Sequence, residues 1–313
     1  MKIRPLVKGL LTFVPGSQKF LPKPTTGGTD SAPYCYGVWM KHLTMLHANG
    51  VAVIPETVAE LGPGDSLGIG LAAMLSGSRR YFALDVVAFA NVDSNLRVLD
   101  ELVELFRNRT AGPVGGFPEF HQYLGEDLFP GHILSDAHLA ESLSHERVNA
   151  IRYALRTLGT PVNGISIDYL VPWSEVSVVR PGSVDLVLSH SVLEHVVDLE
   201  ATYRALRQWL KPGAVMSHQI DFTSHGISDM WNGYRAYPEW LWKVIEGKRD
   251  FLINREPHSV HRELMLKNGF EIFCDLQKIR KDGLSRVKLA KRWRDLPDDD
   301  LNCTGAFVQA RRR

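Results

Sequence analysis

The chain has 313 residues, 44% of them hydrophobic and 23% charged, with a formal net charge of +1. Such a length allows one large core or two modest ones, and the near-neutral balance supplies no field to concentrate nucleic acid, so a polyanion partner is not expected. The cysteines, Cys35, Cys274 and Cys303, are odd in number, far apart and without a CxxC pair, which argues against a disulfide framework or a cysteine zinc site and suits a reducing, cytoplasmic compartment.

The opening stretch MKIRPLVKGLLTFVPG is basic but broken by Lys8, Gly9 and Pro15, with no small-residue cleavage site, and reads as neither signal peptide nor membrane span. Residues 1 to about 30 end in a Pro/Gly/Thr run without periodicity, expected as an extended arm. From Tyr34 to Asn49 the apolar residues Tyr36, Trp39, Met40, Leu43 and Leu46 recur at helical spacing, and Gly50 stops the helix. Short apolar runs then alternate with helical stretches. Strands are expected at Thr57 to Leu61, Arg80 to Leu84, Gly164 to Ile167, Val184 to Leu188 and Ala214 to Ile220, most of them apolar throughout, as strands covered on both faces should be. A crossover helix running from Leu193 to Leu210 ends at Pro212-Gly213. Residues 87 to 163 exceed an ordinary crossover and hold two helical stretches around an aromatic loop; they read as an inserted cap. Beyond Ile220 come a Trp/Tyr-rich stretch, the helix SVHRELMLKNG and a hairpin-like pair of strands, Glu271 to Leu276 and Gly305 to Ala310.

In the stretch VAELGPGDSLGIGLAAMLSGSRRYFALDV, Gly62, Gly64 and Gly68 follow a strand and precede a helix, where small residues let backbone amides approach a ligand. Asp85 ends the next strand and can accept both hydroxyls of a ribose. This much serves NAD, FAD and S-adenosylmethionine alike. The spacing is GxGxxxG rather than GxGxxG, no lysine follows the glycines as in a phosphate loop, and Glu60 stands where a carboxylate repels pyrophosphate and attracts a cationic amino acid group.

With these features the chain resembles the Rossmann-like (class I) S-adenosylmethionine-dependent methyltransferases. The resemblance is carried by Glu60-Leu61-Gly62-Pro63-Gly64, by Asp85, and by SVDLVLSHSVLEHVVDLEATYRALRQWLKPGA, similar to the family's fourth strand, following helix and LKPGG turn. It implies an α/β fold with a seven-stranded sheet in the order 3-2-1-4-5-7-6, the seventh strand antiparallel, over about residues 51 to 310. An N-terminal arm and helix, 1–50, would pack on a methyltransferase domain, 51–313, bearing the cap at about 87–163. S-adenosylmethionine would lie with its methionine end at Glu60, Gly62 and Gly64, its ribose at Asp85 and its adenine edge at Asp168, with Ser189 in the wall near the methyl group.

A sulfonium methyl is already activated, so its transfer needs mainly alignment, and a hydroxyl acceptor adds the need for a base. His190 and His195 follow the fourth strand and Asp221 ends the fifth, so these three are the catalytic candidates; His218 and His225 are their neighbours in sequence. Glu194, His195 and a later His or Asp have the donor types for a divalent ion, and some related methyltransferases carry an ExxEH metal motif. Ser191 occupies its first position here, and no metal is expected. The aromatic stretches, with His121, Asn232 and Arg235, suit either a sugar or flat ring or simple packing, and Asn254 and Arg255 suit an anionic group or a surface network. The expected activity is O-methylation of a small-molecule or glycan-type acceptor. A catalytically silent cofactor-binding module and an NAD-dependent oxidoreductase are the competing readings.

Overall fold

The computed structural model describes residues 3–16, 28–51, 53–113, 115–173, 175–249 and 251–313. Its helices and strands, in chain order, are α1 (Ile3–Leu11), α2 (Ala32–Ala48), β1 (Thr57–Leu61), α3 (Gly68–Leu75), β2 (Arg80–Leu84), α4 (Val92–Arg107), α5 (Asp136–Ser142), α6 (His145–Arg156), β3 (Ser166–Leu170), β4 (Val184–His190), α7 (Leu199–Trp209), β5 (Leu210–Asp221), α8 (Glu239–Glu246), α9 (His258–Lys267), β6 (Phe270–Ile279), α10 (Lys291–Arg294), α11 (Asp298–Asn302) and β7 (Cys303–Arg312). The seven strands form one sheet in the order β3-β2-β1-β4-β5-β7-β6, parallel through β5 and antiparallel where β7 meets β5 and β6. The α/β topology expected from the sequence is therefore the one adopted.

Strand alternation sorts side chains onto two faces. Val58, Tyr81, Ala83, Leu186 and Leu188 enter a core shared with α2, α3, α4 and α6, while Ala59, Leu61, Phe82, Leu84 and Val187 enter a second core with α7 and α9. The long crossover 87–163 therefore differs from a cap. Its helices α4 and α6 bury Val98, Leu102, Phe106, Ile151 and Ala154 in the first core, making them a layer of the domain rather than a lid.

The N-terminal expectation also changes. Residues 3–11 are helical, with Gly9 against α8, where a Cβ would lie 2.5 Å or less from the Val244 and Ile245 carbonyl oxygens. Residues 17–27 of the expected arm lie outside the described residues. Helix α2 is buried over most of its surface, and a Cβ at Gly68 of α3 would meet Cys35 Sγ at 2.5 Å. The displaced third glycine thus serves the α2–α3 contact. The crossover helix starts later than its periodicity implies: after β4 the chain makes a 3-10 turn, Leu193–His195, and α7 begins only where Asp198 accepts the Ala201 amide at 2.8 Å. No described helix is long and apolar enough to cross a membrane.

Candidate functional site

The parallel strands end along one edge, and the residues that follow them line a cavity of about 620 Å³. Trp173 follows β3, Asp85 follows β2, Gly62 and Gly64 follow β1, His190 ends β4 with Ser191 and Val192 after it, and His225 comes from the loop after β5. Neighbouring parallel strands are about 4.8 Å apart. The edge from β3 to β4 therefore spans roughly 14 Å, the length of an extended nucleoside-plus-side-chain ligand. Among the described residues the lining contains no Lys or Arg, and it has an acidic group at one end and imidazoles at the other.

Gly62 and Gly64 have φ of 63° and 76°, in the left-handed region. A Cβ on Gly62 would also lie 2.7 Å from a Val192 methyl, so the β1 turn and the segment after β4 close on each other only with glycine there. Asp85 Oδ1 accepts the Val86 amide at 2.7 Å and Oδ2 accepts the Gly64 amide at 3.2 Å. Burial raises its pKa, and those amides act against the rise. The carboxylate thus ties the glycine turn to β2 while facing the cavity.

Three expected cofactor contacts are placed elsewhere. Glu60 is 2% exposed and points beneath α3, where its Oε2 accepts Tyr81 Oη at 2.5 Å. Burial pushes its pKa up to about 8, against which the Tyr81 bond and the Gly70 amide act. It is therefore a mostly protonated interior group rather than a counter-charge for an ammonium, because β-alternation turns it towards Tyr81 and not along the sheet edge. Asp168 pairs across from Phe82, short of the edge, and lies 3.7 Å from Arg80; Trp173 lines the cavity at the end of that strand instead. Ser189 faces the α7–α9 side, fully buried, 2.8 Å from His218 Nδ1. Trp173, Phe89 and Tyr34 line the cavity although the motif reading passed over them; the Pro-Trp pair just after β3 was the available signal.

Glu60 makes stability depend on pH. Its folded pKa is raised, so the folded chain keeps a proton that the unfolded chain releases from about 4.5 upward; the associated stability is full below that value and lost as pH rises through about 8. Between pH 5 and 9 the midpoint of urea unfolding of the wild type should fall more than that of Glu60→Gln, and parallel profiles would refute the assignment.

The catalytic candidates do gather. His190 lines the cavity with its ring edge-on to Tyr34 and His42, and its Nδ1 is buried without a hydrogen-bond partner. Burial, and then Lys41, lowers its pKa to about 3, so it is neutral at ordinary pH. His195 lines the same cavity, its Nδ1 2.7 Å from the Phe251 carbonyl oxygen and its ring edge-on to His225 at 5.0 Å. Asp221 Oδ2 lies 3.4 Å from His225 Nε2. Burial opposes ionisation of Asp221, but His225 and the Thr223 amide outweigh it and its pKa is lowered. His218 is fully buried in β5, away from the cavity.

Other expected groups have structural work. Asn254 Nδ2 donates to the Leu193 and Val196 carbonyls at 2.8 and 2.9 Å, fixing the turn that carries Glu194 and His195. Arg235 and Arg255 are buried among Tyr234, Trp242 and Trp293, with Arg255 bonded to Glu239 at 2.7 Å. Asn232 binds the backbone at Leu284, and His121 contacts the Pro113 carbonyl.

Residues 143–217, from just before α6 through β3, β4 and α7 into β5, match the family model described as a methyltransferase domain. That segment, about a quarter of the chain, is thus similar to methyltransferase domains. Among solved structures, the chain is similar to an S-adenosylmethionine-dependent methyltransferase from Mesorhizobium loti, at 14% identity and TM-score 0.40, covering 87% of this chain and 100% of that one. A sarcosine dimethylglycine methyltransferase from Galdieria sulphuraria, so described in its name as a prospective assignment, aligns at 14% identity and TM-score 0.43, over 88% and 84% of the two chains. Geranyl diphosphate C-methyltransferase from Streptomyces coelicolor aligns at 11% and 0.43, over 89% and 78%. No curated protein matches the sequence. A phosphate-free cation fits the cavity, whose described lining offers a carboxylate, amide-rich glycine turns and aromatic faces but no Lys or Arg for a pyrophosphate.

Proposed function

We propose that the protein is an S-adenosylmethionine-dependent methyltransferase that methylates a hydroxyl oxygen of a small-molecule or glycan-type acceptor, held where β4 and β5 open into the cavity. The observation that carries the reading is the wall of three imidazoles, His190, His195 and His225, with Asp221 behind the last. A hydroxyl must lose its proton as it attacks, whereas an already formed enolate or a neutral amine makes less demand on a base. Gly62, Gly64 and Asp85 would hold the cofactor from methionine to ribose, and Trp173 and Phe89 supply apolar faces towards the adenine end.

In the transfer, the acceptor oxygen forms a bond to the methyl carbon as the carbon–sulfur bond breaks, the sulfonium electron pair returning to sulfur. The hydroxyl proton passes to a cavity imidazole. Burial keeps His190 neutral, so it has no proton to lose first, and because its Nδ1 is buried it is Nε2 that would take the acceptor's proton.

Methyl-labelled cofactor incubated with the protein and fractionated small-molecule extract should mark one acceptor at oxygen. His190→Ala should lower kcat by about 10²- to 10⁴-fold with little change in cofactor Kd. Label on carbon or nitrogen, or an unchanged kcat, would overturn the reading; tight cofactor binding without turnover on any fraction would favour a silent module.

A further inference from the structure

Glu194 sits in the 3-10 turn after β4, is 3% exposed, and neither of its carboxylate oxygens has a hydrogen-bond partner. The amides of Glu194 and Asp221 lie near enough to temper its charge but form no hydrogen bond with it. A carboxylate buried in this way is costly unless a proton or a cation neutralises it. A carboxylate oxygen of Glu194, a ring nitrogen of His195 and a ring nitrogen of His225 all lie within 4.8 Å of one another.

The outer nitrogens of the two imidazoles are held from behind. The Phe251 carbonyl can only accept, so His195 Nδ1 carries the hydrogen at 2.7 Å and Nε2 keeps its lone pair. His225 Nε2 faces Asp221 Oδ2 at 3.4 Å, which leaves Nδ1 for a ligand. Carboxylate or carbonyl oxygens behind the rings are the arrangement that orients metal-ligating histidines. The backbone is also held in sparsely populated conformations here: His225 has φ of 45° and Ser191 of 56°. His195 and His225 line the cavity, so an ion between them borders the acceptor end.

We propose that Glu194, His195 and His225 bind one divalent first-row transition-metal cation, with its remaining positions open to the cavity. Two imidazoles and one carboxylate are borderline nitrogen and oxygen donors, suited to Mn²⁺, Fe²⁺, Co²⁺ or Zn²⁺ more than to Mg²⁺ or Ca²⁺, which favour oxygen throughout. The motif reading expected no metal because Ser191 lacks a carboxylate. The third donor comes instead from the loop after β5, which the sheet sets beside the end of β4. That such an ion meets the acceptor oxygen rests on the oxygen-transfer reading; its binding does not.

The test uses the full chain, stripped with chelator and titrated with Co²⁺ alone and with Mn²⁺ alone, without cofactor or acceptor. One equivalent should bind, giving visible Co²⁺ absorption and loss of the free Mn²⁺ resonance signal. Glu194→Gln and His225→Ala should each weaken binding at least about 30-fold, and Asp221→Asn, acting through His225, about 10-fold. Cofactor Kd by calorimetry should stay within threefold in each variant, showing the domain intact. Absence of stoichiometric binding, or wild-type affinity in both ligand variants, would overturn the site. Bound Co²⁺ at one equivalent upholds it even where no hydroxyl acceptor is turned over, an outcome that counts against the oxygen-transfer reading alone.

Discussion

Asp85→Ala is expected to weaken S-adenosylmethionine binding by about 100-fold or more while leaving the chain folded. Hydrogen bonds to a charged group contribute about 1.5–3 kcal/mol each, and a ribose diol offers two to one carboxylate; one factor of ten in Kd corresponds to about 1.4 kcal/mol. The loss is concentrated in binding because Asp85 lies just past the end of β2, where its fold-level partners are two loop amides, those of Val86 and Gly64, rather than groups inside the sheet. Asp85→Asn, which keeps acceptor capacity but not charge, should fall between the two. Calorimetry with the demethylated product as ligand measures the effect without turnover. A Kd within threefold of wild type would remove Asp85 from the ribose site, whereas a denatured variant would be recognised by its circular dichroism and replaced by the asparagine form.

Gly70→Ala should cost at least about 3 kcal/mol of folding stability, at the upper end of ordinary overpacking. A Cβ at this helical position would lie 2.0 Å from the Tyr81 ring, which is fully buried between β2 and α3. Tyr81 cannot swing aside cheaply, because its hydroxyl is bonded to Glu60, another buried group. Adding Tyr81→Val to Gly70→Ala opens the space and should recover part of the loss, a coupling that a purely local helix effect would not produce. As a comparison, Gly50→Ala meets nothing within 4 Å and carries only the strain of φ 84°, so it should cost about 1 kcal/mol. Urea unfolding of the three variants decides the matter; a Gly70→Ala loss under about 1 kcal/mol would refute the packing argument.

The glycine turn shows how far the motif reading reached. Its backbone part was legible, because a strand–glycine–helix junction depends on local φ and on the absence of side chains. The same reading gave Glu60 a place beside the ligand, which alternation along β1 withdrew by turning it under α3. Asp168 and Ser189 differ for a related reason: each follows the end of an expected strand, but β3 and β4 run on to Leu170 and His190, so one lies short of the sheet edge and the other faces α7 and α9. Helices α4 and α6 were legible as helices and not as a core layer, since amphipathic periodicity shows that a face is buried without saying against what.

The sequence by itself determined the order of strands and helices, the terminal antiparallel pair and the acid after β2, because apolar runs of strand length, helical periodicity and glycine positions are local properties. Only the tertiary structure decided which polar groups share a cavity. Glu194 and His195 are adjacent in the chain, but His225 lies on a loop thirty positions beyond, and the parallel pairing of β4 with β5 carries it to them. Trp173, likewise, reaches the cavity through the pairing of β3 with β2. The physical reason is that donor types are written into residues, whereas the distances between them arise from strand register and from loops closed by packing far from the site.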